Sequence, residues 1–140
     1  MDIQFKHTTS LRVRYGETDQ MGYCYYGNYA QYFEVGRVEA MRAIGMSYRD
    51  LEDTGVMLPV SEFNVTYKTP AKYDDLLTVE TTISHLKGPR IIFHYRITNE
   101  AGSEIVIAST TLVFVSKETM RPIAPPKNFM ELLEKQQLKE

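Results

Sequence analysis

The sequence contains a single cysteine, Cys24, so no disulfide can form within one chain, and a reducing cytoplasm is the expected location. Its first ten residues have no apolar core of the kind that a secretory signal needs, and no apolar run approaches the length of a membrane span. The formal net charge of -2 gives no sign of a basic surface for nucleic acid or acidic membranes. What is present, 140 residues of which 43% are hydrophobic, suits one globular domain over residues 1–140.

The stretch over residues 17–37, with the sequence ETDQMGYCYYGNYAQYFEVGR, carries the best indication of chemistry. It starts in a polar loop that includes Asp19, because Thr, Asp, Gln and Gly favour turns. Asn28 is the predicted N-cap of a helix whose apolar residues recur at helical spacing until Gly45 ends it. A carboxylate therefore precedes a helix N-terminus, whose first N–H groups lack intrahelical partners and can bind an oxyanion.

Alternating apolar and polar residues predict five strands in the rest of the chain. The predicted strands cover residues 8–15, 56–69 with a bulge near 61 and 62, 77–84, 91–98 and 104–115. A short helix capped by Ser47 follows the long helix. An amphipathic helix begins near Asn128, which has capping-box spacing with Glu131. The last strand is apolar on both faces, so the long helix would cover one face and a second subunit the other. The pattern predicts an oligomer with an α+β fold, in which an antiparallel sheet packs on one central helix.

Two motifs mark the loop and the helix start: Y-x-E-T-D-x-M-G over residues 15–22, and Asn28-Tyr29. Together with the order of elements, they resemble the hotdog-fold acyl-CoA thioesterases, most closely the 4-hydroxybenzoyl-CoA thioesterase-like branch that includes the Tol–Pal-associated acyl-CoA thioesterases. Smaller matches are residues 34–37, Tyr67, Pro70-Ala71 and Asp74-Asp75. The resemblance implies a hotdog fold, an antiparallel five-stranded sheet wrapped around one long central helix. It also implies a homodimer or homotetramer with active sites at the subunit interface.

The same resemblance implies catalytic roles in the loop. Asp19 would be the nucleophile or the base for water, and the backbone N–H groups of Tyr26 and Gly27 would polarise the thioester carbonyl. The chain departs from many relatives at Tyr25 and Tyr26, where they have histidines, which leaves Asp19 as the only obvious acid–base group in the loop. No metal or other cofactor is implied. The alternative for Asp19 is a turn residue that hydrogen-bonds its own backbone.

Substrate contacts are expected in two places. Tyr25 and Tyr29 are predicted to line the acyl pocket, although Tyr29 also lies on the apolar stripe of the helix and core packing is the alternative. Lys87, Gly88 and Arg90 form a turn where relatives often bind the phosphates of coenzyme A, and an ordinary charged turn is the alternative. Two other cations are further candidates for the same role: Lys68 and Lys72.

Several chemically interesting residues are expected to be structural. Cys24 has no histidine in its loop to activate the thiol, so we predict a buried small residue. Gly36 in mid-helix predicts close packing against the sheet or a neighbouring subunit. His7, His85 and His94 lack metal-ligand spacing, and no metal site is predicted.

The sequence thus predicts a homo-oligomeric hydrolase that cleaves an acyl-CoA thioester to a free acid and coenzyme A. The alternatives are a non-catalytic module that binds acyl-CoA or acyl carrier protein, and a thioesterase that acts on acyl carrier protein. A hotdog hydratase or dehydratase usually needs a positioned histidine, which residues 17–29 lack. A nucleic-acid module would need basic residues around the tyrosines, and none precedes Arg37 in this stretch.

Overall fold

A five-stranded sheet and a 16-residue helix dominate the computed structural model, which describes residues 2–138. The strands are β1 (Asp2–Arg12), β2 (Val56–Met57), β3 (Val60–Tyr67), β4 (Leu76–Lys87), β5 (Arg90–Thr98), β6 (Glu104–Val113) and β7 (Val115–Ser116). The helices are α1 (Tyr29–Ile44), α2 (Tyr48–Asp53) and α3 (Lys127–Leu138), and 3₁₀ turns cover Tyr15–Glu17 and Tyr26–Asn28. Over residues 2–138, the helices are too short or too polar to cross a membrane.

The five long strands form one sheet in the order β1-β4-β5-β6-β3, and every neighbouring pair is antiparallel. Alternation in β4 and β5 buries one side chain in two, as the sequence pattern predicts. The buried residues of these two strands are Leu77, Val79, Thr81, Ile83, Leu86, Ile91, Phe93, Tyr95 and Ile97. α1 packs mainly on β1 and β4, which confirms the predicted α+β fold with one central helix.

Two glycines decide how α1 packs and where it ends. At Gly36 an added Cβ would lie 2.5 Å from Thr81 Oγ1 and 2.7 Å from Val79 Cγ1, so the helix backbone itself meets the sheet. Gly45 has a φ of 111° in the left-handed region, and its N–H donates to two carbonyls of the last helical turn. The predicted helix end at Gly45 and the predicted sheet contact of Gly36 are both confirmed.

Strand boundaries differ from the sequence expectation in several places. β1 ends at Arg12, three residues before the predicted position, and the predicted strand 104–115 is divided into β6 and β7. β1 starts at Asp2, six residues before the predicted position, because Ile3 also reaches the core. The predicted strand 56–69 is two strands, and the interruption includes Pro59, which has no N–H for a ladder. The predicted bulge is present, since the pairing of β3 with β6 shifts register between Val60 and Glu62.

The predicted helix caps have different outcomes. In α2 the capping box forms: the Asp50 N–H donates to Ser47 Oγ at 3.1 Å, and the Ser47 N–H donates to Asp50 Oδ2 at 3.0 Å. α3 begins at Lys127, one residue before the predicted start, so Asn128 is already inside the helix. Its side-chain oxygen accepts from the N–H of the next residue, Phe129, at 3.0 Å, and the predicted capping box is wrong.

β3 is an edge strand, and it bears the exposed large apolar side chains of the sheet. Val60, Phe63 and Tyr67 are 48%, 45% and 52% exposed. Phe63 contacts the ring of Phe33 in α1, with centroids 5.9 Å apart, so this apolar surface lies on the helix side of the edge. A single chain therefore leaves an aromatic strip uncovered beside its central helix.

The outer face of β6 is less apolar than the sequence suggests. On the face turned away from α1, the half-buried Ile107 and Val113 lie on either side of Ser109 and Thr111. The apolar side chains that a second subunit would cover are therefore at the β3 edge, next to β6, and only in part on β6 itself.

Replacing Gly36 with alanine is expected to lower the free energy of unfolding by about 1–3 kcal/mol, because the new methyl group would push α1 away from Thr81 and Val79. Helix propensity alone acts in the opposite direction, since alanine is about 1 kcal/mol better than glycine in a helix interior. Gly16→Ala is the matched control, because an added Cβ there meets nothing within 4 Å. The free energy of unfolding of the wild type and of both variants is measured by urea denaturation. A Gly36→Ala variant as stable as the wild type would show that α1 has room to move.

Candidate active site

The loop between β1 and α1 folds back on itself around Asp19. The Asp19 N–H donates to the Tyr23 carbonyl at 2.8 Å, and the Gly22 N–H donates to the Asp19 carbonyl at 3.0 Å. The carboxylate accepts through Oδ1 from the N–H groups of Met21 at 2.9 Å and Tyr23 at 3.3 Å. Asp19 does act as a turn residue, but through one oxygen. Within the described part of the chain no hydrogen bond reaches Oδ2, which remains for a substrate or a water molecule.

A cavity of about 260 Å³ lies where this loop, the start of α1 and the end of β3 meet. It is lined by Asp19, Met21, Tyr23, Cys24, Tyr26, Tyr29, Tyr67, Lys68, Thr69 and Pro70. Aromatic and apolar side chains predominate, while the carboxylate of Asp19 and the ammonium group of Lys68 bring opposite charges to the wall. Such a lining suits a mainly apolar ligand that a few polar groups orient.

Tyrosine rings form one wall of this cavity. The ring of Tyr67 lies 5.8 Å from that of Tyr29 and 6.2 Å from that of Tyr26, measured between centroids. Tyr29 is 4% exposed, and its hydroxyl accepts the Ala71 N–H at 3.2 Å. Burial raises the pKa of Tyr29 to about 12, so its phenol is neutral at physiological pH. Tyr29 thus belongs to the core and to the cavity wall at once.

The N–H groups predicted to bind the oxyanion belong to the 3₁₀ turn that leads into α1. The first hydrogen bond of that turn runs from the Asn28 N–H to the Tyr25 carbonyl, at 2.9 Å. The N–H groups of Tyr26 and Gly27 come before it, so the turn offers them no carbonyl. Free N–H groups at a helix start are donors of the kind that can bind an oxyanion.

The predicted loop residues divide into two groups. Asp19, Tyr26 and Tyr29 lie together in the cavity wall. Tyr25 stacks beside the wall on the ring of Tyr26, with centroids 4.7 Å apart. It also covers Gly27, where an added Cβ would lie 2.7 Å from the Tyr25 ring. The structure therefore places Tyr25 and Gly27 next to the cavity lining and not in it.

Asn28 does not cap α1 with its side chain, which corrects the sequence prediction. Because the 3₁₀ turn runs directly into α1, Asn28 has helical backbone angles, φ −76° and ψ −19°, in place of the extended conformation typical of a cap. Its side-chain Nδ2 donates instead to the carbonyl of Glu17, at 2.8 Å.

Glu17, which the sequence analysis does not assign to the site, is 9% exposed and lies beneath the loop. Its carboxylate accepts from the Arg14 N–H at 2.8 Å, the Arg14 guanidinium at 3.1 Å and the Tyr32 hydroxyl at 3.0 Å. Burial raises the pKa of this carboxyl, but the hydrogen bonds from Arg14 and Tyr32 outweigh burial and leave the pKa lowered. The available signal in the sequence was Tyr32, a phenol on the buried helix stripe that needs a polar partner.

Cys24 is buried, as predicted, and also lines the cavity. Burial raises the pKa of its thiol, so little thiolate is present near neutral pH. Of the histidines, His85 and His94 are exposed and His7 is half-buried. Residues 2–138 contain no group of three or more His, Cys, Asp or Glu side chains placed to hold a metal ion.

The predicted phosphate-binding turn lies far from this cavity within one chain. Arg90 pairs with Val113 of β6, whereas Tyr67 of the cavity wall pairs with Val106, seven residues along the same strand. At 3.3 Å per residue, the two places are about 23 Å apart along the sheet. Lys68, one of the further candidates, lies in the cavity wall itself.

Comparison with known proteins assigns a family to this architecture. Residues 13–133 match the model of the thioesterase-like superfamily. The putative acyl-CoA thioesterase YneP of Bacillus subtilis is 39% identical over 119 residues, which are 85% of this chain and 86% of the relative. Acyl-CoA thioester hydrolase YbgC of Escherichia coli O157:H7 is 32% identical over 120 residues, 86% and 90% of the two chains. The crystal structure of a DHNA-CoA thioesterase from Staphylococcus aureus superposes with a TM-score of 0.88 at 34% identity and covers 95% of this chain and 91% of its own.

Proposed function

This chain belongs to the thioesterase-like superfamily, and from that premise we propose that it hydrolyses an acyl-CoA thioester to a free acid and coenzyme A with Asp19 as the catalytic residue. The observation that carries the proposal is the shared cavity, whose wall contains both Asp19 and Tyr26 at the start of α1. A reacting carbonyl in this cavity would lie between a carboxylate and a helix N-terminus.

The chemistry assigned to these groups is acyl transfer to water. As a base, Asp19 takes a proton from water through Oδ2, the water oxygen bonds to the carbonyl carbon, and the C–S bond breaks as the proton passes to the coenzyme A thiolate. As a nucleophile, Oδ2 bonds to the carbonyl carbon and the C–S bond breaks, and water then hydrolyses the acyl–aspartate anhydride to the free acid and Asp19 and supplies the proton of the thiol. The N–H groups of Tyr26 and Gly27 stabilise the oxyanion, and each such donor typically contributes about 3–4 kcal/mol to the transition state. The tyrosine wall holds the acyl group, with Tyr29 as a neutral phenol.

Asp19→Asn is expected to reduce kcat/KM at least about a hundredfold, a loss of roughly 2.7 kcal/mol of transition-state stabilisation. The measurement is thiol release from a panel of short, medium, long and aromatic acyl-CoAs, with DHNA-CoA included because of the S. aureus neighbour. Asp53→Asn, which changes an exposed carboxylate in α2, is the matched control and should keep the wild-type rate.

Two outcomes would contradict this assignment in different ways. If the wild type hydrolyses some thioesters and Asp19→Asn keeps more than a third of that rate, Asp19 is not the catalytic residue. If the folded wild type binds acyl-CoA but releases no thiol from any panel member, the acyl-CoA hydrolase proposal fails. Carrier-protein thioesters, or a role in binding alone, would then take its place.

We further propose that two copies of the chain associate through the β3 edge and that the active site lies at their interface. An edge strand has unpaired N–H and C=O groups that can pair with another strand, and the apolar side chains of β3 are exposed on the helix side. A groove of about 270 Å³ separates α1 from β3 and is lined in part by Phe33 and Phe63. Because Tyr67 and the three residues after it line the Asp19 cavity, a partner on β3 would extend the cavity wall.

Phe63→Glu is expected to break this association, because it buries a charge in the apolar strip. Sedimentation of the wild type should give at least twice the chain mass of 16.2 kDa, and that of the variant a single chain mass. Met120→Glu, an equally exposed apolar position outside β3, is the control and should leave the mass unchanged. An oligomer that persists in Phe63→Glu would place the interface on another surface.

Lys87 and Arg90 are proposed to bind the phosphates of coenzyme A for the cavity of a neighbouring subunit. Both side chains are exposed and flank the left-handed Gly88, and their distance along the sheet from the cavity of their own chain favours the cavity of another subunit. Exposed cations that bind phosphate act mainly on substrate binding, with little effect on the chemical step.

The double variant Lys87→Ala/Arg90→Ala is expected to raise KM for acyl-CoA roughly tenfold to a hundredfold with kcat nearly unchanged, because hydrogen bonds to charged groups contribute about 1.5–3 kcal/mol. For the thioester of the same acyl group with N-acetylcysteamine, which has no phosphates, the KM of the double variant should equal that of the wild type. An equal rise for both substrates would mean that the turn has a structural role. No rise for acyl-CoA would leave Lys68 as the candidate to test.

A further inference from the structure

We infer that Glu17 is the positioning residue of this active site: its side chain and its carbonyl together hold the Asp19 loop at a fixed place relative to the start of α1. The inference rests on the proposed function, because it assigns to Glu17 a part in the reaction that Asp19 and the helix start would perform.

The side chain of Glu17 ties the start of the Asp19 loop to α1. Oε1 accepts from the Arg14 N–H at 2.8 Å and from the Tyr32 hydroxyl at 3.0 Å, so one oxygen joins the segment after β1 to the first turn of α1. Oε2 accepts from the Arg14 guanidinium at 3.1 Å. A largely buried carboxylate with charge-assisted hydrogen bonds on both oxygens has little freedom to move.

The backbone carbonyl of Glu17 holds the C-terminal end of the same loop. It accepts from the Tyr25 N–H at 2.8 Å and from Asn28 Nδ2 at 2.8 Å. Asp19 follows Glu17 by two residues, and Tyr26 follows Tyr25 directly. Hydrogen bonds to one residue, Glu17, therefore hold the chain next to the proposed catalytic Asp19 and next to the proposed oxyanion donors.

Glu17 acts through these bonds and not on the substrate. It is absent from the wall of the Asp19 cavity in the described chain, and it lines a different cavity of about 280 Å³ together with Arg14 and Tyr32. Hydrogen bonds from Arg14 and Tyr32 lower the pKa of Glu17 in spite of burial, so the carboxylate is ionised at neutral pH and accepts at both oxygens. A displacement of about 1 Å in an active site can cost about a hundredfold in rate, which is the scale on which such an anchor matters.

The test compares Glu17→Gln and Tyr32→Phe with Tyr48→Phe. Glutamine keeps the size of Glu17 but would set an NH₂ group against the Arg14 guanidinium, and Tyr32→Phe removes a donor to Oε1. Tyr48→Phe is the matched control, because this phenol is partly buried and bonded to a different residue, Arg37, at 2.7 Å. For Glu17→Gln we expect kcat to fall about tenfold to a hundredfold, with KM within about twofold of wild type. For Tyr48→Phe we expect kcat within about twofold of wild type, whatever its effect on Tm.

Amide hydrogen exchange supplies a second readout that does not depend on turnover. In Glu17→Gln, exchange should accelerate at the amides of residues 18–27, among them the Asp19 and Tyr25 N–H groups, while the amides of β4 and β5 keep their protection. Tyr48→Phe should leave the loop amides unchanged.

The results separate this inference from the proposed function. A Glu17→Gln variant with wild-type kcat, or with loop exchange equal to wild type, would falsify the inference even if Asp19 is catalytic. Exchange that accelerates equally across the sheet would show a general loss of stability and would also overturn it. If the wild type releases no thiol from any thioester, the proposed function fails, and exchange alone decides whether Glu17 holds the loop.

Discussion

The direct contact between the backbone of α1 and the sheet at Gly36 fixes the distance between helix and sheet, and the rest of the structure depends on that distance. Without a side chain between them, the helix lies against Thr81 and Val79 of β4, the strand next to the sheet centre. The buried stripe of the helix then has one position in which its aromatic residues fit. Because α1 is fixed, its first turn is fixed as well, and the loop that precedes it has an immobile surface on which to close.

The loop packs on α1 through a buried polar cluster, at a place where a protein core is normally apolar. Glu17 and Tyr32 meet beneath the loop, and their unpaired burial would be costly, so they favour the one arrangement in which both are satisfied. Asp19 above them uses its own backbone to close a tight turn. One set of hydrogen bonds within the loop and one set to the helix thus hold a carboxylate beside a helix start.

The order of elements and the loop that lines the candidate site could be predicted because they depend on local patterns. Alternation marks β4 and β5, Gly45 marks the helix end, and the polar loop before the helix marks Asp19. The predictions that failed depend on contacts between residues that are distant in sequence. The start of β1 is set by pairing with β4, and the burial of Glu17 is set by a helix residue fifteen positions later. Periodicity within a short window contains neither piece of information.

The Asn28 prediction failed for a different reason. The residue type was right for a cap, but a 3₁₀ turn extends the helix backward by one turn and gives Asn28 helical backbone angles. Its side chain then accepts no bond from the helix start and donates through Nδ2 to the Glu17 carbonyl. The start of a helix is thus decided by which of two competing hydrogen bonds the fold permits, and the composition of the segment does not say which.

The one-sided hydrogen bonding of Asp19 has a consequence for the symmetry of its carboxylate. In water the two oxygens exchange freely by rotation about the Cβ–Cγ bond, but here a rotation would break the bonds from the Met21 and Tyr23 N–H groups to Oδ1. The oxygens are therefore distinguishable, and in the proposed reaction Oδ2 would act in every turnover. If the reaction passes through an acyl–aspartate anhydride that water opens at the substrate carbon, heavy oxygen from labelled water would enter the released acid and not the protein. If water opens it at the aspartate carbon, the label would first enter Asp19 at Oδ2 and would leave with the acid formed in the next turnover.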